Sequence, residues 1–191
     1  MNFLIEYLKN PRKIGAVAPS SSSLAKKMIQ PIDFKSAKVI FEYGSGTGSF
    51  TRELVIRRKP DTVLILIEQN IKFCEELERI FCNQPNLYII NGSAENVNDY
   101  LAEYGFKYAD YIVSGLPFTS LPVKVSDNIL NATKRAIDRK GRFITFQYSL
   151  VKKKFFGKYF RISNCFREIK NFPPAYVLVM RNKLRKDLVD Y

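Results

Sequence analysis

The 191-residue chain is basic: 31 Lys and Arg against 18 Asp and Glu give a formal charge of +13, which predicts a polyanionic partner, either nucleic acid or an anionic membrane surface. It has no histidine, which excludes a histidine base, a Ser-His-Asp triad and every histidine-dependent metal site, and Cys74, Cys82 and Cys165 lack metal-ligand spacing and read as buried, reduced thiols. One domain is expected at this length; with no apolar run near the roughly 18 residues of a spanning helix and no signal-peptide layout from Met1 to Lys9, a cytoplasmic, metal-free protein is expected.

In chain order, residues 2–9 predict an amphipathic helix with Phe3, Leu4, Tyr7 and Leu8 apolar, ending before Pro11. It either packs on the domain or lies on a membrane surface beside Lys9, Arg12 and Lys13. Ile14 to Ser23 is a loop of small residues and hydroxyls that can approach a ligand or act as a flexible linker, and one of its serines can cap a helix from Leu24 to Ile29. Lys38 to Tyr43 reads as a central parallel strand, closed by Gly44, Gly46 and Gly48 and followed by a helix over about 49–58. A second strand over 62–68 precedes a helix from Asn70 to Cys82, with Ile71, Cys74, Leu77 and Phe81 on its buried face. Pro85-Asn86 leads to strand three, Leu87 to Ile90, then the turn Asn91 to Asn96, a helical piece over 96–104 and strand four, Ala109 to Ser114. A long helix from Val123 to Asp138 is expected to stop at Gly141, before strand five, Arg142 to Tyr148. Two further strands, Phe166 to Ile169 and Tyr176 to Met180, are joined too closely for an intervening helix and so must be antiparallel. The expected fold is α/β: a Rossmann-like, doubly wound, seven-stranded sheet whose last strand is antiparallel, in a single domain 1–191 with residues 1–30 as an N-terminal helical lid segment.

The spacing at the first strand carries more information than the glycine count. A dinucleotide fingerprint needs G-x-G-x-x-G, and its third glycine would fall on Ser49. The chain instead reads Glu42-x-Gly44-x-Gly46-x-Gly48, which resembles the first motif of class I methyltransferases that use S-adenosylmethionine (SAM). A glycine-rich turn lets backbone approach a ligand, and an acid ending the second strand roughly 20 residues on binds ribose hydroxyls. Glu68 stands at that interval.

Between strands five and six, Val151 to Arg161 carries five positive charges and four aromatic rings without an acid. The lysines could track phosphates while the rings stack on bases, or meet anionic lipid while the rings enter the headgroup region. A third reading packs the rings on the core beneath a solvated lysine face.

Four segments, Ile14 to Ser20, Glu42 to Gly48, Ser114-Gly115-Leu116-Pro117-Phe118 and Asn171-Phe172-Pro173-Pro174-Ala175, together resemble the bacterial phospholipid N-methyltransferases, relatives of the ribosomal RNA adenine dimethylases. The resemblance covers nearly the whole chain. It implies SAM as cofactor, with S-adenosylhomocysteine as product, held by Val17, Pro19, Ser20, Ser21, Glu42, Gly44, Ser45, Gly46, Gly48, Glu68 and Gln69. It places Ser93, Ala94 and Glu95 around the adenine and Ser114, Gly115 and Leu116 beside the cofactor; relatives commonly have Asp where Ser93 stands. The dimethylases have Asn at the position of Gly115, where its oxygen accepts a hydrogen bond from the base amine. Glycine has no such acceptor, and a neutral lipid amine needs none, so the difference points to phosphatidylethanolamine at the inner face of the membrane. Tyr148 would hydrogen-bond the amine, and Phe118 and Tyr148 would hold the methylated cation through their ring faces. An RNA or other small-substrate methyltransferase, and a non-catalytic SAM- or membrane-binding module, are the alternatives.

Overall fold

The structure is a computed structural model that describes residues 21–151, 153–171 and 173–184. The expected helix over 2–9, the loop residues Val17, Pro19 and Ser20, and Lys152 lie outside them.

The elements follow as α1 (Ser22–Ile29), β1 (Val39–Tyr43), α2 (Ser49–Arg57), β2 (Val63–Glu68), α3 (Ile71–Phe81), β3 (Leu87–Asn91), a 3-10 turn (Ala94–Asn96), α4 (Val97–Glu103), β4 (Ala109–Ser114), α5 (Val123–Ala136), β5 (Ile137–Gln147), α6 (Lys153–Tyr159), β6 (Phe160–Glu168) and β7 (Ala175–Asn182). They build one seven-stranded sheet in the order β3-β2-β1-β4-β5-β7-β6. Strands β1 to β5 are parallel, and β7 runs antiparallel between β5 and β6. The expected α/β, doubly wound sheet with a reversed last strand is the observed one.

Strands covered by helices on both faces are apolar on both faces, which is why β1 is buried at all five positions and β2 at five of six. Ile40, Leu64, Leu66, Val113 and Ile144 point toward Leu24, Met28, Phe50, Leu54 and Leu77 of α1, α2 and α3. Phe41, Tyr43, Ile65, Ile112 and Phe143 face the other way, toward Val97, Leu101, Ile129, Leu130 and Phe156 of α4, α5 and α6. Neighbours β2 and β4 lie on opposite sides of β1, so the order reverses at the carboxyl ends of these strands, where open α/β sheets hold their ligands.

Several sequence expectations are corrected. Helix α5 ends at Ala136 and β5 begins at once, because the Asp138 carboxylate accepts the N–H groups of Lys140 and Gly141, both at 2.8 Å, turning the chain before Gly141 can act as a stop. A Cβ on Gly141 would lie 2.8 Å from the Ile137 Cβ and 3.0 Å from the Ala109 carbonyl, so its lack of a side chain serves packing. Strand β6 starts at Phe160, six residues before its expected start, and ends at Glu168, leaving Ile169 in the following turn, 68% exposed. Ile71 is 54% exposed: as the first helical residue after the Asn70 cap it has no preceding turn to cover. Cys74 is buried as expected, whereas Cys82 and Cys165 are exposed.

Candidate active site

The glycine loop begins where β1 leaves the sheet. Gly44, Gly46 and Gly48 all have positive φ, at 66°, 51° and 79°, a region that L residues with a Cβ avoid. Gly44 and Gly115 cross closely: a Cβ on Gly115 would stand 2.9 Å from the Gly44 carbonyl oxygen, and one on Gly44 would stand 2.8 Å from the Leu116 Cδ2. Gly115 N–H donates to the Tyr43 carbonyl at 2.8 Å, and Gly44 N–H to that of Ile67 at 2.8 Å. The loop thus ties the ends of β1, β2 and β4 together. Gly46 differs, with nothing within 4 Å of its Cβ position: its face of the loop is open.

Two buried acids flank the loop. Glu42 is fully buried and accepts the Thr51 hydroxyl at 2.8 Å through Oε2, while its Oε1 has no hydrogen-bond partner. Burial raises its pKa to about 8, the Thr51 hydroxyl opposes the shift, and the charge on Glu68 adds to it. Ser45 stands near enough to favour the ionised form slightly, although its buried hydroxyl makes no hydrogen bond of good geometry. Glu68, at the end of β2, is 2% exposed. Its Oε2 accepts Gly46 N–H and its Oε1 accepts Asn70 N–H, both at 2.9 Å. Burial raises its pKa and these backbone donors oppose the rise. Beside it the Gln69 Oε1 is buried without a partner.

On the far side of β2, Ser93 caps the 3-10 turn by accepting Glu95 N–H at 3.2 Å, and its Oγ lies 3.2 Å from the Glu95 Oε2. Glu95 Oε1 accepts the Asn128 amide at 2.7 Å. Both side chains expected around an adenine are therefore engaged with each other and with α5, and Ala94 is buried beneath them. At the end of β4, the Ser114 hydroxyl accepts Leu116 N–H at 3.2 Å, fixing the turn that carries Gly115.

Phe118 and Tyr148 are not brought together. Phe118 is fully buried, edge-on to Phe143 and Phe156 at 6.2 and 5.3 Å. Tyr148 packs at the opposite face of the sheet, its ring 5.5 Å from that of Phe146, which in turn meets Phe50. A paired aromatic grip on one cation is not formed, because the two residues belong to different core clusters. The α6 rings also turn inward: Phe156 is fully buried, and Phe155 meets Phe156 and Tyr159 edge-on at 6.1 and 5.6 Å. Phe156 and Phe160 are buried, Phe155 and Tyr159 half-buried, and Lys153, Lys154 and Lys158 exposed, so these rings pack on the core beneath a lysine face that stays open to a partner.

Sequence reasoning missed three supporting residues. Thr51 holds Glu42, and Asn70 both caps α3 through its side chain and offers Glu68 its backbone N–H; an Asn immediately before an amphipathic run is a legible cap signal. Asn171 accepts the Ser21 hydroxyl at 2.7 Å and so reaches the N-cap of α1 across 150 residues, a partnership that no local pattern signals. Among the described residues no group of His, Cys, Asp and Glu has a metal-binding arrangement, and no helix is long and apolar enough to cross a membrane.

No family model matches the chain. TrmN from Thermus thermophilus superposes with a TM-score of 0.67 at 10% identity over 92% of this chain, which spans about half of TrmN, 52%. The N-methyltransferase NodS from Bradyrhizobium japonicum WM9, solved with S-adenosyl-L-homocysteine, gives 0.65 at 10% identity over 85% of each chain. The fold is that of the class I SAM-dependent methyltransferases. An ornithine lipid N-methyltransferase from Singulisphaera acidiphila is 30% identical over 175 residues, 91% of this chain and 91% of that one. The chain belongs to the family of that lipid N-methyltransferase.

Proposed function

We propose that the chain is a SAM-dependent N-methyltransferase that works at the inner face of the membrane on the amine of a lipid, phosphatidylethanolamine by the motif reading and ornithine lipid by the relative. The observation that carries this reading is the likeness to a lipid N-methyltransferase over 91% of both chains. The glycine edge fits the cofactor independently. It offers an open backbone face at Gly46, three buried oxygens without partners on Glu42, Ser45 and Gln69, and a carboxylate on Glu68 held by backbone donors.

When bound, SAM supplies an electrophilic methyl group on a positively charged sulfur. Each Glu68 oxygen accepts one backbone N–H, which leaves acceptor capacity for ribose hydroxyls. Val17, Pro19, Ser20 and Ser21 complete the proposed contact set from the lid segment 1–30 of a single domain. The loop residues Gly44, Ser45 and Gly48, with Ser93, Ala94, Glu95, Ser114 and Leu116, form its walls. Gly115 presents no acceptor, which suits an amine whose lone pair is free once the proton is lost. Desolvation and neighbouring positive charge both favour that neutral form. Tyr148 hydrogen-bonds the amine at the exit of β5, water takes the proton, and Phe118 supports the β4 turn from within the core.

The test is transfer of labelled methyl from SAM into vesicles containing phosphatidylethanolamine, vesicles containing ornithine lipid, or ribosomal RNA. Label in either lipid extract is expected, with Tyr148→Phe lowering turnover roughly ten- to hundred-fold at unchanged SAM affinity. Label in RNA alone, or in no acceptor while SAM binds, overturns the reading.

A further inference from the structure

Strands β5 and β6 both run parallel to β1, so the loops that leave them emerge at the edge that carries the glycine loop. Gln147 and Arg167 both pair with Tyr176 of β7. The two loops therefore start level with each other, about 10 Å apart at two strand spacings. Their tips expose aliphatic side chains: Val151 is 83% exposed, Ile169 68% and Leu150 38%. Lys153 and Lys154 stand exposed beside the first loop, and Arg167 and Lys170 beside the second.

From the second loop a groove of about 660 Å³ runs between α1 and β6. Lys26 and Lys27 of α1, Arg57 of α2, and Arg167 and Lys170 line it, with the single carboxylate of Glu168. Arg57 pairs with Glu53 at 3.3 Å. The Ser23 hydroxyl first, then the Lys170 N–H and the charges of Lys27 and Lys170, hold Glu168 below the usual carboxylate range. The groove keeps a positive excess that no described carboxylate within it balances.

We propose that this edge is a membrane-docking surface, on which Leu150, Val151 and Ile169 enter the headgroup region of an anionic bilayer while the groove cations meet lipid phosphates. Docking in this orientation turns the glycine edge toward the bilayer, and its significance for catalysis rests on the lipid-amine reading above. Nucleic acid fits the same charge but not the same side chains. Single strands are held by stacking on ring faces, whereas among the described residues Phe156 is fully buried, Phe155 and Tyr159 are half-buried against it and each other, and the most exposed apolar side chains at the two tips are aliphatic. Aliphatic side chains flanked by lysines gain from an acyl boundary and an anionic surface together.

The experiment is vesicle flotation with phosphatidylglycerol–phosphatidylcholine vesicles, phosphatidylcholine vesicles and single-stranded RNA, without SAM or an amine acceptor. The full chain is compared with Val151→Asp/Ile169→Asp and Lys26→Glu/Lys170→Glu, all at exposed positions, where each change is expected to shift the melting temperature only slightly, checked by thermal melting. Both variants are expected to bind phosphatidylglycerol vesicles at least about ten-fold more weakly, and phosphatidylcholine alone to bind the parent weakly. Undiminished vesicle binding by both variants, equal binding to the two vesicle types, or loss of RNA binding in place of vesicle binding overturns the proposal. Vesicle binding that depends on these residues without any methyl transfer to lipid keeps the docking surface and removes the lipid-amine reading, so the two fail separately.

Discussion

The two regions that meet at the carboxyl ends of the strands treat their carboxylates in opposite ways. In the glycine half, burial raises the pKa of both Glu42 and Glu68. In the β5–β6–β7 half, Glu168 sits among lysines and donors that lower it. The first region holds polar groups inside a fixed backbone, with unpartnered buried oxygens on Glu42, Ser45 and Gln69, as a site for a small polar ligand requires. The second keeps its charges outside on long side chains, as a surface that must adapt to another surface requires.

The largest expected effect comes from Glu42. Its carboxyl has a folded pKa of about 8 against an ordinary value of 4.5, so between those values the folded chain holds a proton that the unfolded chain releases. Stability therefore falls as pH rises through that window, by on the order of 5 kcal/mol in total. With no histidine in the chain, the window is nearly clear of other titrations, although the raised Glu68 adds the same sign. Thermal melting across pH 5 to 8 is expected to show a declining curve for the parent and a much flatter one for Glu42→Gln. Parallel curves would mean that the Glu42 site is wetter than its burial implies. Glu168 has the opposite sign: its contribution is present above the ordinary carboxylate pKa and lost as pH falls below it.

A side chain at Gly115 is next. Its Cβ would press on the Gly44 carbonyl oxygen and meet Phe50 at 3.4 Å, and backbone cannot swing aside as a side-chain tip can. Overpacking of this kind costs about 1–3 kcal/mol, so Gly115→Ala is expected to lower the melting temperature by about 2–12 °C and to impair methyl transfer. Substitutions at Lys170, on the same edge but in the other region, are expected to stay within about 0.5 kcal/mol. Equal tolerance at both positions would remove the contrast between the regions.

The same contrast explains what was legible in the sequence. Glu42, the three glycines and Glu68 could be read because β1 and β2 are buried on both faces and appear as uninterrupted apolar runs ending in breakers. The first half of β6 could not. It is a sheet-edge strand with a register shift between Ile162 and Asn164 and exposed Arg161, Ser163, Asn164 and Cys165, so its alternation is blurred. Gly141 was misread because a glycine required by a close neighbour and a glycine that ends a helix are the same letter. The inward turn of Phe155, Phe156 and Tyr159 is a tertiary fact: composition put rings beside lysines, and only packing against Phe118 and α5 decides which group faces water.

A smaller effect than that at Gly115 tests the joint between the regions. Asn171, 4% exposed, accepts the Ser21 hydroxyl at 2.7 Å and Ser21 N–H at 3.3 Å, and donates to the Pro173 carbonyl at 2.7 Å. Ser21 in turn caps α1 by accepting Leu24 N–H at 3.2 Å. Asn171→Ala leaves the cap itself intact but strands the Ser21 N–H and the Pro173 carbonyl, a loss of about 1–2 kcal/mol. A fall of about 2–6 °C in melting temperature is expected, together with faster proteolysis near Ser21. Asn171→Asp keeps the acceptor and sets a carboxylate against the Pro173 carbonyl, so it should hold Ser21 at the α1 N-cap while loosening the β6–β7 loop. Proteolysis that rises at both places in either variant would show that the two regions move as one unit, and that their contrast is one of chemistry alone.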